Sequence, residues 1–127
     1  MEPLTQQTTM RFLPEARDVV TALRSTLLTL APDARERANP TAGSLSFGYG
    51  ARPEDQICTL MPAGGGVALV FFAGRALPDP EGLLSGTGVV HRSLLVDSPQ
   101  QACSAAVVEL LRHAAAACRE RRSAGRA

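Results

Sequence analysis

Residues 67–73 read Val-Ala-Leu-Val-Phe-Phe-Ala, an apolar run with no polar interruption. Such a run predicts a strand lying centrally in a sheet, in the middle of the core, with one face under helices. Upstream, Pro62-Ala63-Gly64-Gly65-Gly66 reads as a glycine-rich hairpin connection that follows a strand over residues 56–61. Before that, Ser44-Leu45-Ser46-Phe47-Gly48-Tyr49 alternates small or polar with apolar residues, the pattern of a strand half exposed to water. Downstream, residues 89–96 are rich in β-branched and aliphatic side chains and read as the last strand.

Helices flank these strands. Pro14 suits a first helical position, Glu15 and Asp18 suit the positive end of a helix, and Pro32 stops it. Ala16, Val19, Val20, Leu23, Leu27 and Leu30 recur at three and four residues, which predicts one amphipathic helix over 14–30. Residues 31–37 read as a tight turn or a single helical turn. Ser98, Pro99 and Gln101 form a capping-box arrangement, so a second helix is expected over 99–121. Its inner stripe would be Cys103, Ala106, Val107, Leu110, Leu111, Ala114 and Cys118. The order helix, strands, helix, with hairpin-length connections, predicts an α+β two-layer sandwich with a mainly antiparallel sheet and both helices on one face. One domain is expected over 12–121, with a flexible arm at 1–11 and a flexible basic tail at 122–127.

Composition narrows the function. The chain has 127 residues, 45% hydrophobic and 20% charged, with a formal charge of +1. That balance is globular and argues against a surface that tracks nucleic-acid phosphates. Every basic side chain is Arg, so a Schiff-base lysine, a lysine general base and a P-loop lysine are excluded. Cys58, Cys103 and Cys118 match neither a zinc site nor a redox pair, and a reduced cytoplasmic setting is the natural expectation. Neither a secretory leader nor a membrane-spanning run is expected from the sequence.

The distinctive polar chemistry lies in residues 74–92, Gly-Arg-Ala-Leu-Pro-Asp-Pro-Glu-Gly-Leu-Leu-Ser-Gly-Thr-Gly-Val-Val-His-Arg. Two prolines fix the backbone around Asp79, whose carboxylate can bond forward to nearby amides, and Gly82 permits positive φ. The run from Phe71 to Gly88, with Leu-Pro-Asp-Pro-Glu-Gly-Leu-Leu-Ser-Gly-Thr-Gly at its centre, resembles the YdhG/YdeI-like family of small bacterial domains of unknown function. Leu13-Pro14-Glu15 and Ala31-Pro32-Asp33-Ala34 are similar to that family's helix boundaries, so the likeness covers roughly residues 12–116. Where the family carries a Lys and then an Arg-His pair, this chain has Val89-Val90-His91-Arg92.

The resemblance implies a frataxin-like fold, and some relatives are described as iron chaperones for iron–sulfur or haem assembly. On that reading the protein is a non-enzymatic binding domain, its cargo is weakly bound iron, and its partners are iron-cofactor assembly proteins. Glu15, Asp18, Asp33 and Glu36 would be the metal contacts, although Arg11, Arg17, Arg35 and Arg37 are interleaved among them. The alternative is a small-molecule or anion-binding module whose site is Gly86, Gly88, His91 and Arg92 with Tyr49 beside them, since glycines let backbone amides approach an anion. A third reading is a partner-binding or homo-oligomerising domain that uses a free sheet face carrying Leu45, Phe47 and Ile57. No catalytic set is legible, and the basic end Arg119, Arg121, Arg122 and Arg126 reads as a solubilising tail rather than a nucleic-acid contact.

Overall fold

A computed structural model describes residues 3–86 and 91–126. Five strands, β1 (Arg35–Asn39), β2 (Ser44–Gly48), β3 (Gln56–Ala63), β4 (Gly66–Phe71) and β5 (Arg92–Val96), form one antiparallel sheet in the order β1-β2-β3-β4-β5. Helices α1 (Pro3–Thr9), α2 (Pro14–Leu30), α3 (Pro99–Ala102) and α4 (Ala105–Arg126) accompany it. The α2 and α4 helices pack on the same side of the sheet, giving the expected two-layer α+β sandwich. The apolar run lies in β4, an interior strand, while the middle place in the sheet belongs to β3.

The core follows from strand alternation. Leu45, Leu60, Leu69 and Leu94 stand in one cross-strand row on the helix side, with Phe47, Phe71 and Val96 in neighbouring rows. Val19, Val20, Leu23 and Leu27 of α2 and Leu110, Leu111 and Ala114 of α4 close over them. Leu45, Phe47 and Ile57 are at most 1% exposed, so they belong to the core and not to a free face. The uncovered face carries the opposite set.

Several expected boundaries move, each for a physical reason. The Thr/Gln-rich start is helix α1 rather than a flexible arm, because the Thr8 and Thr9 hydroxyls donate to the carbonyls of Leu4 and Thr5 and so can be buried. Residues 35–39 form edge strand β1 instead of continuing a turn. Its inward positions are the charged Glu36, which hid the alternation, and Ala38, and Arg24 of α2 binds the Glu36 carboxylate with Nη2–Oε1 at 2.8 Å. The last helix breaks at Cys103: Ser98 Oγ caps Gln101, and Ser104 Oγ then accepts from Val107 to begin α4. Cys103 is therefore exposed, outside the inner stripe, whereas Cys118 is buried. Helix α4 continues to Arg126 where a tail was expected, with Arg121 donating to the carbonyls of Glu54 and Gln56 and Arg122 paired with Asp55. Among the described residues, no helix is long and apolar enough to cross a membrane.

Candidate functional site

The loop after β4 closes a sheet edge. Ala73 takes a left-handed conformation (φ 56°) and leads into the tight turn Gly74–Ala76. Asp79 accepts from the amides of Leu83 (2.8 Å) and Leu84 (2.9 Å), with Gly82 at φ 63°, so its carboxylate shapes the loop. Leu77, Leu83 and Leu84 pack against the core. Ser85 then exchanges both backbone hydrogen bonds with Ser93 of β5. Beyond it the Gln101 amide donates to Leu95 O and accepts from Asp97 N. These contacts occupy the outer edge of β5, which would otherwise offer backbone groups to another chain.

Of the described residues expected to form an anion pocket, Gly86 and Arg92 adjoin, whereas the His91 ring and Tyr49 lie apart from them. Gly88 lies outside the described residues. His91 stands by Phe72, ring centroids 5.7 Å apart at 82°, on the uncovered side of the sheet. Arg92 is paired with Phe71, so alternation sends it the other way; its stem lies against Gly74, where an added Cβ would come within 2.6 Å of Arg92 Cβ. Gly86 also borders Arg92 rather than His91's ring. Tyr49 is at another place, donating to Asp33 Oδ1 and accepting from Arg119, with the Arg122 guanidinium 5.8 Å from its ring.

The four acids proposed for iron are equally dispersed. Glu36 is held by Arg24, Asp33 faces Tyr49, and Glu15 lies beside Gly65 in the β3–β4 turn. Asp18 is exposed on α2. Among the described residues no group of three or more His, Cys, Asp or Glu side chains is placed to hold a metal. The two buried thiols are poor nucleophiles: burial raises the pKa of Cys58, with a further push from Cys118, and burial raises that of Cys118 although Arg121 and Arg122 oppose it.

The uncovered sheet face holds a different constellation. Arg37, Ser46, Thr59, Val70 and Ser93 are successive partners across all five strands. A bulge in β3 adds Gln56 to this face: Phe47 pairs with Cys58 and Gly48 with Gln56, so Ile57 and Cys58 are both buried and the alternation resumes one residue out of step. Gln56 Nε2 donates to Gly50 O at 2.6 Å and Arg52 O at 3.3 Å, pinning the preceding loop. That loop is further fixed by buried Asp55, bound by Arg52 and by Arg122 at 3.0 Å. Burial pushes the Asp55 carboxyl up, but its hydrogen bonds to Arg52 and the charges of Arg52 and Arg122 outweigh this, leaving its pKa below the ordinary value.

Two adjoining cavities result. One, of about 470 Å³, is lined by Arg37, Asn39, Ser46, Gln56 and Thr59 with small apolar neighbours; the other, of about 170 Å³, by Met61, Val70, Phe72 and His91. Both include Pro53, Gln56 and Thr59, so they make one groove with a polar end and an apolar end. Arg121 backs the apolar end, its guanidinium 5.1 Å from the Phe72 ring centroid. A third cavity, about 300 Å³, lies between residues 78–83 and α4, over Leu83, Ala106 and Leu110. Of its carboxylates, Asp79 is committed to its own turn and Glu109 to Arg112 at 2.9 Å, while Glu81 is exposed.

No family model matches the chain, and no curated protein or solved structure matches it.

Proposed function

We propose that this protein is a non-enzymatic binding domain of the YdhG-like kind whose ligand lies in the groove across the uncovered face of β1–β4. The observation that carries this reading is the junction of the two cavities at Gln56 and Thr59, one end polar and the other apolar. Small-molecule sites combine an apolar lining with a few placed polar groups in this way. The groove is also braced from behind, since α4 holds the 53–56 segment through Arg121, Arg122 and the Cys118 thiol, which donates to Asp55 O at 3.2 Å. Iron handling gains no comparable support, because the acids it needs are apart and two of them are engaged.

A fragment library of mixed charge, screened by amide NMR shifts, tests the assignment. Hits should cluster on Ser46, Thr59 and Val70, and Thr59→Arg, which fills the junction, should abolish them while the protein stays folded. Hits confined to the cleft against α4, or none at all, would overturn it.

A second reading rests on Met61, Ala68 and Leu95, which are paired in a row beside the groove on the same face, Met61 also lining its apolar part, with Met61 37% and Leu95 53% exposed. This row would be a contact between copies of the chain. Light scattering should then show a dimer that Leu95→Glu dissociates; a monomer at all concentrations would reject it.

A further inference from the structure

Among the described side chains, nearly every arginine is engaged with a carbonyl, a carboxylate or a hydroxyl. Arg35 and Arg37 are the exceptions, with no hydrogen bond or ion pair. They are two residues apart on edge strand β1, hence on one side of it, and both are exposed. Arg37 lines the polar end of the groove, and no Asp or Glu lines either part of that groove. A cation without a counter-charge, at the mouth of a carboxylate-free groove with an apolar far end, is complementary to an anion joined to an apolar body.

Resting on the groove reading, we propose that the ligand is a small organic acid, its carboxylate on Arg37 and its chain or ring lying over Thr59 and Val70 toward Phe72 and His91. Strand spacing sets its length. From Arg37 through Ser46 and Thr59 to Val70 is three strand intervals, roughly 14 Å between the outer Cα positions. The arginine side chain spans part of that distance, which leaves room for an acid on the order of 10 Å long. Along the way Ser46 Oγ and Thr59 Oγ1 are hydrogen-bonded to each other at 2.9 Å, so they present a largely satisfied floor rather than competing for the carboxylate. The Arg121 guanidinium over Phe72 is already held by the Glu54 and Gln56 carbonyls, which makes the β1 end the seat of the charge.

The probe is sodium 4-phenylbutanoate, titrated into ¹⁵N-labelled protein and compared with its uncharged methyl ester. The acid should shift the amides of Ser46, Thr59 and Val70 and bind about tenfold more tightly than the ester. Arg37→Gln should remove that advantage, weakening the acid about tenfold while leaving the ester unchanged, and added salt should weaken only the acid. Equal binding of acid and ester in the groove, or acid binding unaffected by Arg37→Gln, would overturn the anion inference and leave the groove assignment standing. Acid shifts confined to Arg119, Arg121 and Arg122 would also overturn it. Absence of groove shifts with both probes and with the fragment library would remove the inference and the groove reading together.

Discussion

The two faces of the sheet are built from the same strands and put to opposite uses. On the helix side, neighbouring strands offer Leu45, Leu60, Leu69 and Leu94, each 6% exposed or less, in a row that α2 and α4 seal. On the other side the adjacent row is Arg37, Ser46, Thr59, Val70 and Ser93, with no helix over it. One face is therefore chiefly a source of stability, and the other is free to vary in chemistry. Phe71 and Phe72 divide the two roles between consecutive residues. Phe71 is fully buried, whereas Phe72 is half-buried between His91 and Arg121. Urea unfolding should show Phe71→Ala costing about 3–5 kcal/mol and Phe72→Ala only about 1 kcal/mol. Similar losses from both would mean that the open face is also structural.

The edge strand β1 tests how far the helix layer reaches. Glu36 faces inward to Arg24, with side chains 14% and 17% exposed. The Arg24 guanidinium is raised in pKa by its hydrogen bond to Glu36, against the opposing effect of burial. Glu36→Ala leaves that cation half-buried and unpaired, which should cost on the order of 2 kcal/mol. The double variant Glu36→Ala with Arg24→Met should recover much of the loss, since no unpaired charge remains.

Acid should act where α4 braces the groove. The pKa of Asp55 is depressed in the folded chain, so its contribution is present above the unfolded value, about 3.9, and is lost as pH falls through the lower folded value. Thermal melts between about pH 5 and pH 2 should therefore show Tm falling with acid, and Asp55→Asn should flatten that part of the profile. An unchanged profile would show that the Arg52 and Arg122 contacts contribute no net stability. A smaller effect is expected at the other sheet edge. Gln101→Ala frees Leu95 O and Asp97 N, costs about 1 kcal/mol, and should speed hydrogen exchange at Asp97.

Much of this architecture is legible in the sequence because it rests on local periodicity. The three-and-four spacing of α2, with Pro14 and Pro32 at its ends, predicts a helix over about residues 14–30, as found, and Ser98 caps the helix at Pro99 as its type suggests. What fails is whatever depends on distant partners. Edge strand β1 reads as a turn because one of its two inward residues, Glu36, is a charge, sensible only once Arg24 is opposite. Helix α1 is hidden by threonines whose hydroxyls are satisfied within the helix. The candidate site is harder still: Gln56 reaches the open face only through a bulge in the β2–β3 register, and Arg37 meets Thr59 only across strands. One signal was present. The run from Val67 to Phe72 is apolar at positions facing both ways, more than a sheet covered on one side requires, and Val70 and Phe72 are the surplus that lines the groove.

Arg37 supplies the smallest expected change in stability and the sharpest test of the division between faces. Among the described residues its guanidinium makes no hydrogen bond or ion pair that folding would lose, and the neighbouring arginine on the same side of β1 makes none either. Arg37→Gln should therefore leave unfolding free energy within about 0.5 kcal/mol of the parent protein. A rise in stability would be informative too, because relief of repulsion between Arg35 and Arg37 would mean that the native chain keeps two like charges together at a net cost. Such a cost, retained beside a groove without carboxylates, is expected where the charge serves a ligand rather than the fold. A clear loss of stability would instead place Arg37 among the structural arginines, with Arg24 and Arg122, and would move the boundary between the two faces onto the edge strand itself.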